Sequence, residues 1–433
     1  MASHGCMIGD VPVDTAVGEG LTREEVCLPM PAIIAWPTIV QDALPRYDNL
    51  FQNEPERRHF AEYLTGLMVA ERKTVTGINA EFAVTTDQSC LNRWITEVPW
   101  DVQALNERRL AELQREPSTC YAAQGVIALD NTLVDHEGRL IADVGWFWDH
   151  ADRRHLIAHD YLIANYVCPS GKHYPLEFRR FRKAADGPPA AFKDHTALFC
   201  ELVDWVVAQA IPGEFTFDCY FTHAPILNHL QGTRRGYVGD LKFNRKVECQ
   251  GRIWKASEVA AAIPMEARKA VRIGDEQQWY FTKTIRIPKL DHPVRLVILW
   301  DRKNGADPVK MLLTNRTHWE VTRILRVYRK RWPGTESFHR DGKQHLGMGD
   351  CQLRSGEGQT RHLYLVFLAH SLLVTAMRQG RADAWAHLTL TTICEACRAV
   401  LRETLQRTIS WAIERATVEQ WPTLRICQVL QLA

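Results

Sequence analysis

The 433-residue chain is 46% hydrophobic and 24% charged, the balance of a folded globular protein long enough for two or three packed units. Its formal net charge of +2 excludes a uniformly cationic coat, so a contact with a polyanion has to come from local patches. The apolar runs 202–211 and 363–369 are interrupted by Asp, Gln or His far short of the roughly 20 residues that span a bilayer, which excludes a membrane-spanning helix there.

The start, MASHGCMIGDVPVD, has no basic segment followed by an apolar core, and the twelve cysteines are irregularly spaced, so a reducing, cytoplasmic setting is expected. Residues 1–54 contain Pro12, Pro29, Pro31 and Pro37 with little periodicity and read as an irregular arm. From 55 to 118 the pattern is helical. RRHFAEYLTGLMVAER places Phe60, Leu64, Leu67 and Met68 on one face, and the shorter TVTGINAEFAV and TTDQSCLNRWI follow. Short helices joined by tight turns suit a helix-turn-helix whose last helix presents Thr86, Gln88, Asn92 and Arg93 to a DNA major groove, although a plain helical bundle has the same pattern.

Residues 119–246 alternate strands with helices. QGVIALDNT, ADVGWFWD and HDYLIANYVC read as a three-strand antiparallel meander; HTALFCELVDWVVAQAI is a helix, EFTFDCYF a strand, PILNHL a helix and GYVGDLKF another short strand. Strands resuming after helices imply a mixed sheet with parallel members, hence an α/β fold. Residues 247–316 read as a separate β-rich insert with strands WYFTKTIRI, VRLVILWD and VKMLLTN, residues 317–375 return to helix, and 376–433 add further helices. Cys394 and Cys397 form the only C-x-x-C; TTICEACRAVLRETL is amphipathic and no second pair follows, so packing rather than zinc binding is expected of them.

Three acids stand where such a fold would gather them. Asp130 and Asp218 each follow an apolar run, in VIALD and FTFD, and are expected at strand ends on the rim of a sheet; Asp135 and Asp149 close their runs less cleanly. Glu336 follows the helix that leaves the insert. Carboxylates converging in this way suit two Mg²⁺ ions, with Mn²⁺ as a substitute, and in-line displacement at phosphorus. Around Glu336 the charge is strongly positive, from Arg323, Arg326, Arg329, Lys330 and Arg331 before it to Arg340 and Lys343 after it, as a phosphate-gripping segment requires.

These motifs resemble those of the DDE transposases of bacterial insertion sequences, which have an RNase H-like catalytic domain. LDNT around Asp130, FDCYF around Asp218 and a Tyr-Arg-Glu-Lys signature at Tyr328, Arg331, Glu336 and Lys343 carry the resemblance, which spans roughly residues 55–375 with VGWFWDH, YPLEFR and LKFNR. It implies an RNase H-like mixed sheet flanked by helices, a β-rich insertion before the third acid and a helical N-terminal domain. It further implies Asp130, Asp218 and Glu336 as metal-binding catalytic acids, cleavage and joining of double-stranded DNA, and a homodimer on DNA, since two ends meet one target. Tyr328, Arg331 and Lys343 would contact phosphates at the element's end, with Arg340 continuing the basic segment and Lys242, Asn244 and Arg245 close to the same strand. The spacing departs from the pattern at one point. Four residues, Trp332 to Thr335, separate Arg331 from Glu336 where the family has three, which makes Glu336 and Lys343 the firmer counterparts and leaves Arg331 closer to an ordinary surface position. Trp332 is expected to pack. A metal-dependent nuclease without strand transfer, or a DNA-binding protein that has lost catalysis, would carry much of the same sequence.

Overall fold

The computed structural model describes residues 30–150, 152–184, 192–249, 251–377 and 390–432. Six helices come first: α1 (Thr38–Gln41), α2 (Leu44–Tyr47), α3 (Glu54–Val69), α4 (Val75–Ala80), α5 (Gln88–Thr96) and α6 (Val102–Gln114). The last four start where a side chain can satisfy a free helix N–H: Asn53, Thr74, Asp87 and Asp101 each accept from a backbone N–H of the first turn. The expected arm of residues 1–54 is corrected from residue 33 onward. Ile33 bridges to Phe82, and Ile39, Val40, Ala43 and Tyr47 are buried, because their apolar side chains complete the core beneath α3. Residues 1–29 lie outside the described residues.

The sheet begins with β1 (Val126–Asp135), β2 (Gly145–Asp149), β3 (Arg154–Val167) and β4 (His173–Phe181). These do not form the simple meander expected. The long β3 takes β1 along one edge, while β2 and β4 share the other, pairing with Arg154–Ala158 and Asp160–Val167 respectively. Sequence reading assigned no strand to β4, whose Pro175 sits where the register with β3 shifts, between Ala164 and Asn165; a proline cannot donate to the ladder and is accommodated at such an irregularity.

Next come α7 (His195–Ala208), β5 (Glu214–Phe217), α8 (Ala224–Gly232) and β6 (Tyr237–Asp240). β5 lies parallel to β1, and β6 parallel to β5. The small hairpin β7 (Lys246–Cys249) and β8 (Arg252–Lys255) and the helix α9 (Ala256–Ala261) precede β9 (Lys269–Ile273), β10 (Glu276–Ile285), β11 (Val294–Trp300) and β12 (Lys310–Thr314). The strands expected as a separate insert extend the main sheet instead: β12 pairs antiparallel with β6, giving the ten-strand order β2-β3-β1-β5-β6-β12-β11-β10-β9 with β4 beside β3. Four helices follow: α10 (Val321–Arg329), α11 (Phe338–His345), α12 (Gly356–Ala376) and α13 (Ile393–Thr417), with a short α14 (Thr423–Val429) last.

This mixed sheet flanked by helices is the RNase H-like architecture. One face packs Ile127, Leu129, Phe215 and Phe217 against α7 and α8, and the other packs Val134, Tyr161 and Ile163 toward α11 and α12. α12 is almost wholly buried, so it is the central helix of that second face. Helices α3–α5 share one core with it: Phe60, Leu64, Leu91 and Trp94 belong to the same cluster as Leu365, Phe367 and Val400. The boundary expected at residue 118 is therefore not a boundary between cores.

Candidate active site

Strand alternation decides where the acids point. In VIALD, Ile127 and Leu129 enter the α7/α8 core, so Ala128 and Asp130 face the α11 side. In EFTFD, Phe215 and Phe217 do the same, which turns Thr216 and Asp218 to that side; in YVGD, Tyr237 enters the first core and Val238 and Asp240 face away from it. The parallel registers Leu129↔Phe217 and Phe217↔Gly239, continued by one residue, line up Asp130, Asp218 and Asp240 in one row across three neighbouring strands. Asp130 does not end its strand as expected. β1 runs on to Asp135 because β3 still pairs with it, but β5 stops at Phe217, so Asp130 stands at the rim of the parallel part of the sheet. Asp218 follows β5 directly, as expected, and its Oδ1 accepts from the Tyr220 N–H at 2.9 Å.

Glu336 reaches this row from a π-helical turn, Pro333–Ser337, between α10 and α11. Pro333 has no N–H to donate to the preceding turn, which ends α10 at Arg329. Gly334 lies so close to the sheet that a Cβ would stand 2.8 Å from Ala128 Cβ and 2.7 Å from Val167 Cγ2. Buried Thr335 returns its hydroxyl to the Arg331 carbonyl at 3.0 Å. The widened turn absorbs the extra residue between Arg331 and Glu336, because five positions in a π-turn close the same angle as four in an α-turn. Arg331 is thereby no surface residue. Its Nη1 donates to Asp130 Oδ2 at 3.1 Å and lies 3.7 Å from Glu336 Oε1.

The resulting cleft, about 920 Å³, is lined by Asp130, Asp218, Asp240 and Glu336, with Arg331, Arg340 and Lys343 on its helical wall. Burial, followed by the charges of Asp218 and Glu336, pushes the Asp130 carboxyl up to about 8, with Arg331 opposing. Burial also raises Asp218, against its backbone hydrogen bond and Arg331. His339, on the same wall, is held near 3 by burial and by the nearby cations Lys343 and Arg331. Acids this reluctant to ionise together, around a position already taken by a cationic group, fit hard divalent ions bound through oxygen.

A family model described as "DDE superfamily endonuclease" matches residues 46–251, and a second, described as "Transposase DDE domain", matches residues 193–372. The chain belongs to the DDE transposase family. The first match contains Asp130 and Asp218, the second Asp218 and Glu336. No curated protein matches the chain. Membership makes this DDE transposase a nuclease-type enzyme that acts on DNA. No helix among the described residues is long and apolar enough to cross a membrane.

The remaining residues singled out in this DDE transposase divide into two groups. Lys343 and Arg340 stand exposed on the cleft wall; desolvation lowers the Lys343 pKa, against the pull of Asp149, Glu336 and Asp135. Lys242 and Asn244 are exposed beside Asp240 and line the adjoining cavity with Arg245, although Arg245 Nη2 donates to the Thr222 carbonyl at 2.8 Å. Others are engaged elsewhere. The Tyr328 hydroxyl donates to Asp240 at 3.3 Å, Arg323 stacks over Trp319, Arg329 pairs with Glu276, and Lys330 donates to the Cys168 carbonyl at 3.3 Å. Trp332, expected to pack, is 62% exposed. Asp135 pairs with Arg154 at 2.9 Å, and burial pushes the Cys397 thiol up to about 12.

Sequence reading missed two parts of the cleft. Asp240 ends an apolar run in YVGD by the same signal that marked Asp218, and Lys310 donates to it at 3.0 Å. Asp160 and His195 were beyond any local signal. His195 Nε2 lies 2.8 Å from buried Asp160, which also accepts from Asn131 at 3.1 Å, linking α7 to the residue next to Asp130.

Proposed function

We propose that this chain cleaves DNA at the ends of an insertion sequence and joins the freed ends to target DNA, with Asp130, Asp218 and Glu336 as its catalytic acids. The observation that carries the reading is the convergence of these three carboxylates, from a strand centre, a strand end and a π-turn, in one cleft walled by cations. Two Mg²⁺ ions, or Mn²⁺ in their place, held by the three acids would activate the attacking water or 3′-hydroxyl and stabilise the leaving oxygen.

The chain's own groups orient the DNA. Lys343, Arg340 and Arg331 set positive charge along one wall for the phosphates of the element's end, and Lys242, Asn244 and Arg245 continue it past Asp240. Tyr328 takes part through Asp240, which it and Lys310 hold in place. Arg93, with Gln88 and Asn92 beside it on α5, reads the terminal sequence. The protein works in the compartment that holds its DNA, as a homodimer that pairs two ends with one target.

The deciding experiment incubates the purified protein and Mg²⁺ with DNA carrying the element's own ends and a target duplex, and reads the products on a denaturing gel. Ends cut and joined through their 3′-hydroxyls support the proposal. Cutting without joining assigns the chain to the hydrolytic nucleases, and binding without cutting in either Mg²⁺ or Mn²⁺ removes the catalytic reading.

A further inference from the structure

Behind the cleft wall, on the inner side of α11, three potential ligands from three elements face one another: His173 of β4, Asp341 of α11 and His370 of α12. Their ligand atoms all lie within 4.8 Å of one another. His370 is fully buried, and neither of its ring nitrogens has a hydrogen-bond partner among the described residues. The Nε2 of His173 is likewise buried and has no hydrogen-bond partner among the described residues. Asp341 is buried, and among the described residues only its Oδ1 accepts a hydrogen bond, from Arg340 at 3.4 Å.

Two open imidazole nitrogens and a carboxylate oxygen, buried together, have no evident purpose as packing, since Phe or Leu would fill the same space without unpaired polar atoms. We propose that His173, Asp341 and His370 bind a single borderline divalent ion of the Zn²⁺ or Co²⁺ class, separate from the acids of the cleft. Imidazole nitrogen favours such ions, whereas the carboxylate set of the cleft favours Mg²⁺. A tetrahedral ion with ligands at about 2.0–2.1 Å draws the three side chains slightly closer than they stand here, with water as the fourth ligand from the half-exposed His173 side.

The ion's role is positional. It ties α11 to β4 and α12 immediately beneath His339, Arg340 and Lys343, and so holds the helix that follows Glu336 against the sheet.

The test uses the full chain, stripped with chelator, reloaded with Co²⁺, and passed through gel filtration in excess Mg²⁺. Retained cobalt is measured by elemental analysis and by its visible absorption. Wild type is expected to keep about one ion per chain, Asp130→Asn the same, and His173→Gln and His370→Gln less than about a tenth of it. His173→Gln, at the half-exposed edge, guards against loss of fold in the more deeply buried variant, and circular dichroism confirms folding of both. No retained ion in wild type, or retention that survives His173→Gln and vanishes in Asp130→Asn, overturns the proposal. The readout does not involve DNA cleavage, so it stands or falls apart from the proposed function.

Discussion

Arg331 donates to Asp130 at 3.1 Å although 201 positions separate the two residues in the chain, and its guanidinium lies between that acid and Glu336. Removing it leaves two acids facing each other without a counter-charge. Breaking a buried pair costs about 3–5 kcal/mol when the stranded charge stays ionised. Asp130, already near 8, avoids most of that by taking up a proton. Arg331→Ala is therefore expected to cost little metal-free stability, to push the Asp130 carboxyl higher and to slow cleavage at least ten-fold. Single-turnover cleavage and thermal melts in EDTA check both parts; wild-type cleavage by the variant would return Arg331 to the surface role first expected of it.

Asp130→Asn is expected to abolish cleavage and yet stabilise the metal-free protein by about 1–2 kcal/mol near pH 8, because it replaces a desolvated acid with a neutral isostere. The pH dependence has a definite sign. The folded carboxyl sits near 8 and the unfolded one near its ordinary value of 3.8, so between those values the folded state binds the extra proton. Its contribution to stability is complete below the lower value and is lost as pH rises through the upper one. Wild type in EDTA should lose melting temperature over that window relative to Asp130→Asn, and metal binding should release protons, measurable by calorimetry in buffers of different ionisation enthalpy. Parallel melting curves for the two proteins would contradict the assignment.

Gly334→Ala places a methyl group 2.8 Å from Ala128 Cβ and 2.7 Å from Val167 Cγ2. Overpacking of this kind costs about 1–3 kcal/mol, and here it lifts the turn that carries Glu336 off the sheet. Cleavage should fall more steeply than melting temperature, and adding Ala128→Gly should recover part of each. If the double variant is no better than the single one, close approach is not the reason for the glycine.

Lys343 stands exposed on the cleft wall with no hydrogen bond or ion-pair partner among the described residues. Lys343→Ala should lower the magnitude of the log-affinity salt slope for terminal DNA by about one unit, as the loss of one phosphate contact does. Binding measured in Ca²⁺ across a salt series decides it; an unchanged slope would exclude that contact.

Helix α5 cannot be tested by excising residues 55–115, because α12 completes its core. In the full chain, Arg93→Ala should leave the fold intact, since Arg93 is exposed, and should lower the preference for terminal over random DNA by about ten-fold, the size of one lost base contact. Competition binding with the two DNAs measures this, and an unchanged ratio would point to the plain bundle.

Local order carries much of this protein. Alternation in VIALD and FTFD determined both the strands and the face that Asp130 and Asp218 occupy, because side-chain direction along a strand depends only on position parity. Asn53, Asp87 and Asp101 cap helix starts in the structure by chemistry that acts within three residues. The tertiary structure decided what depends on partners distant in sequence. Whether β1 would pair with β2 or β3, whether β12 would close against β6, and whether α3–α5 would form a body of their own are choices among nearly equivalent edges and faces, settled only when the whole core is packed. The same holds for Asp240, recruited to the row by the β5–β6 register, and for His173, Asp341 and His370, which share no spacing in the chain. Arg331 joins the two levels. Its distance from Glu336 is written in the sequence, but only the π-turn, shaped by Pro333 and by the close approach of Gly334 to Ala128 and Val167, turns five positions into one shared face.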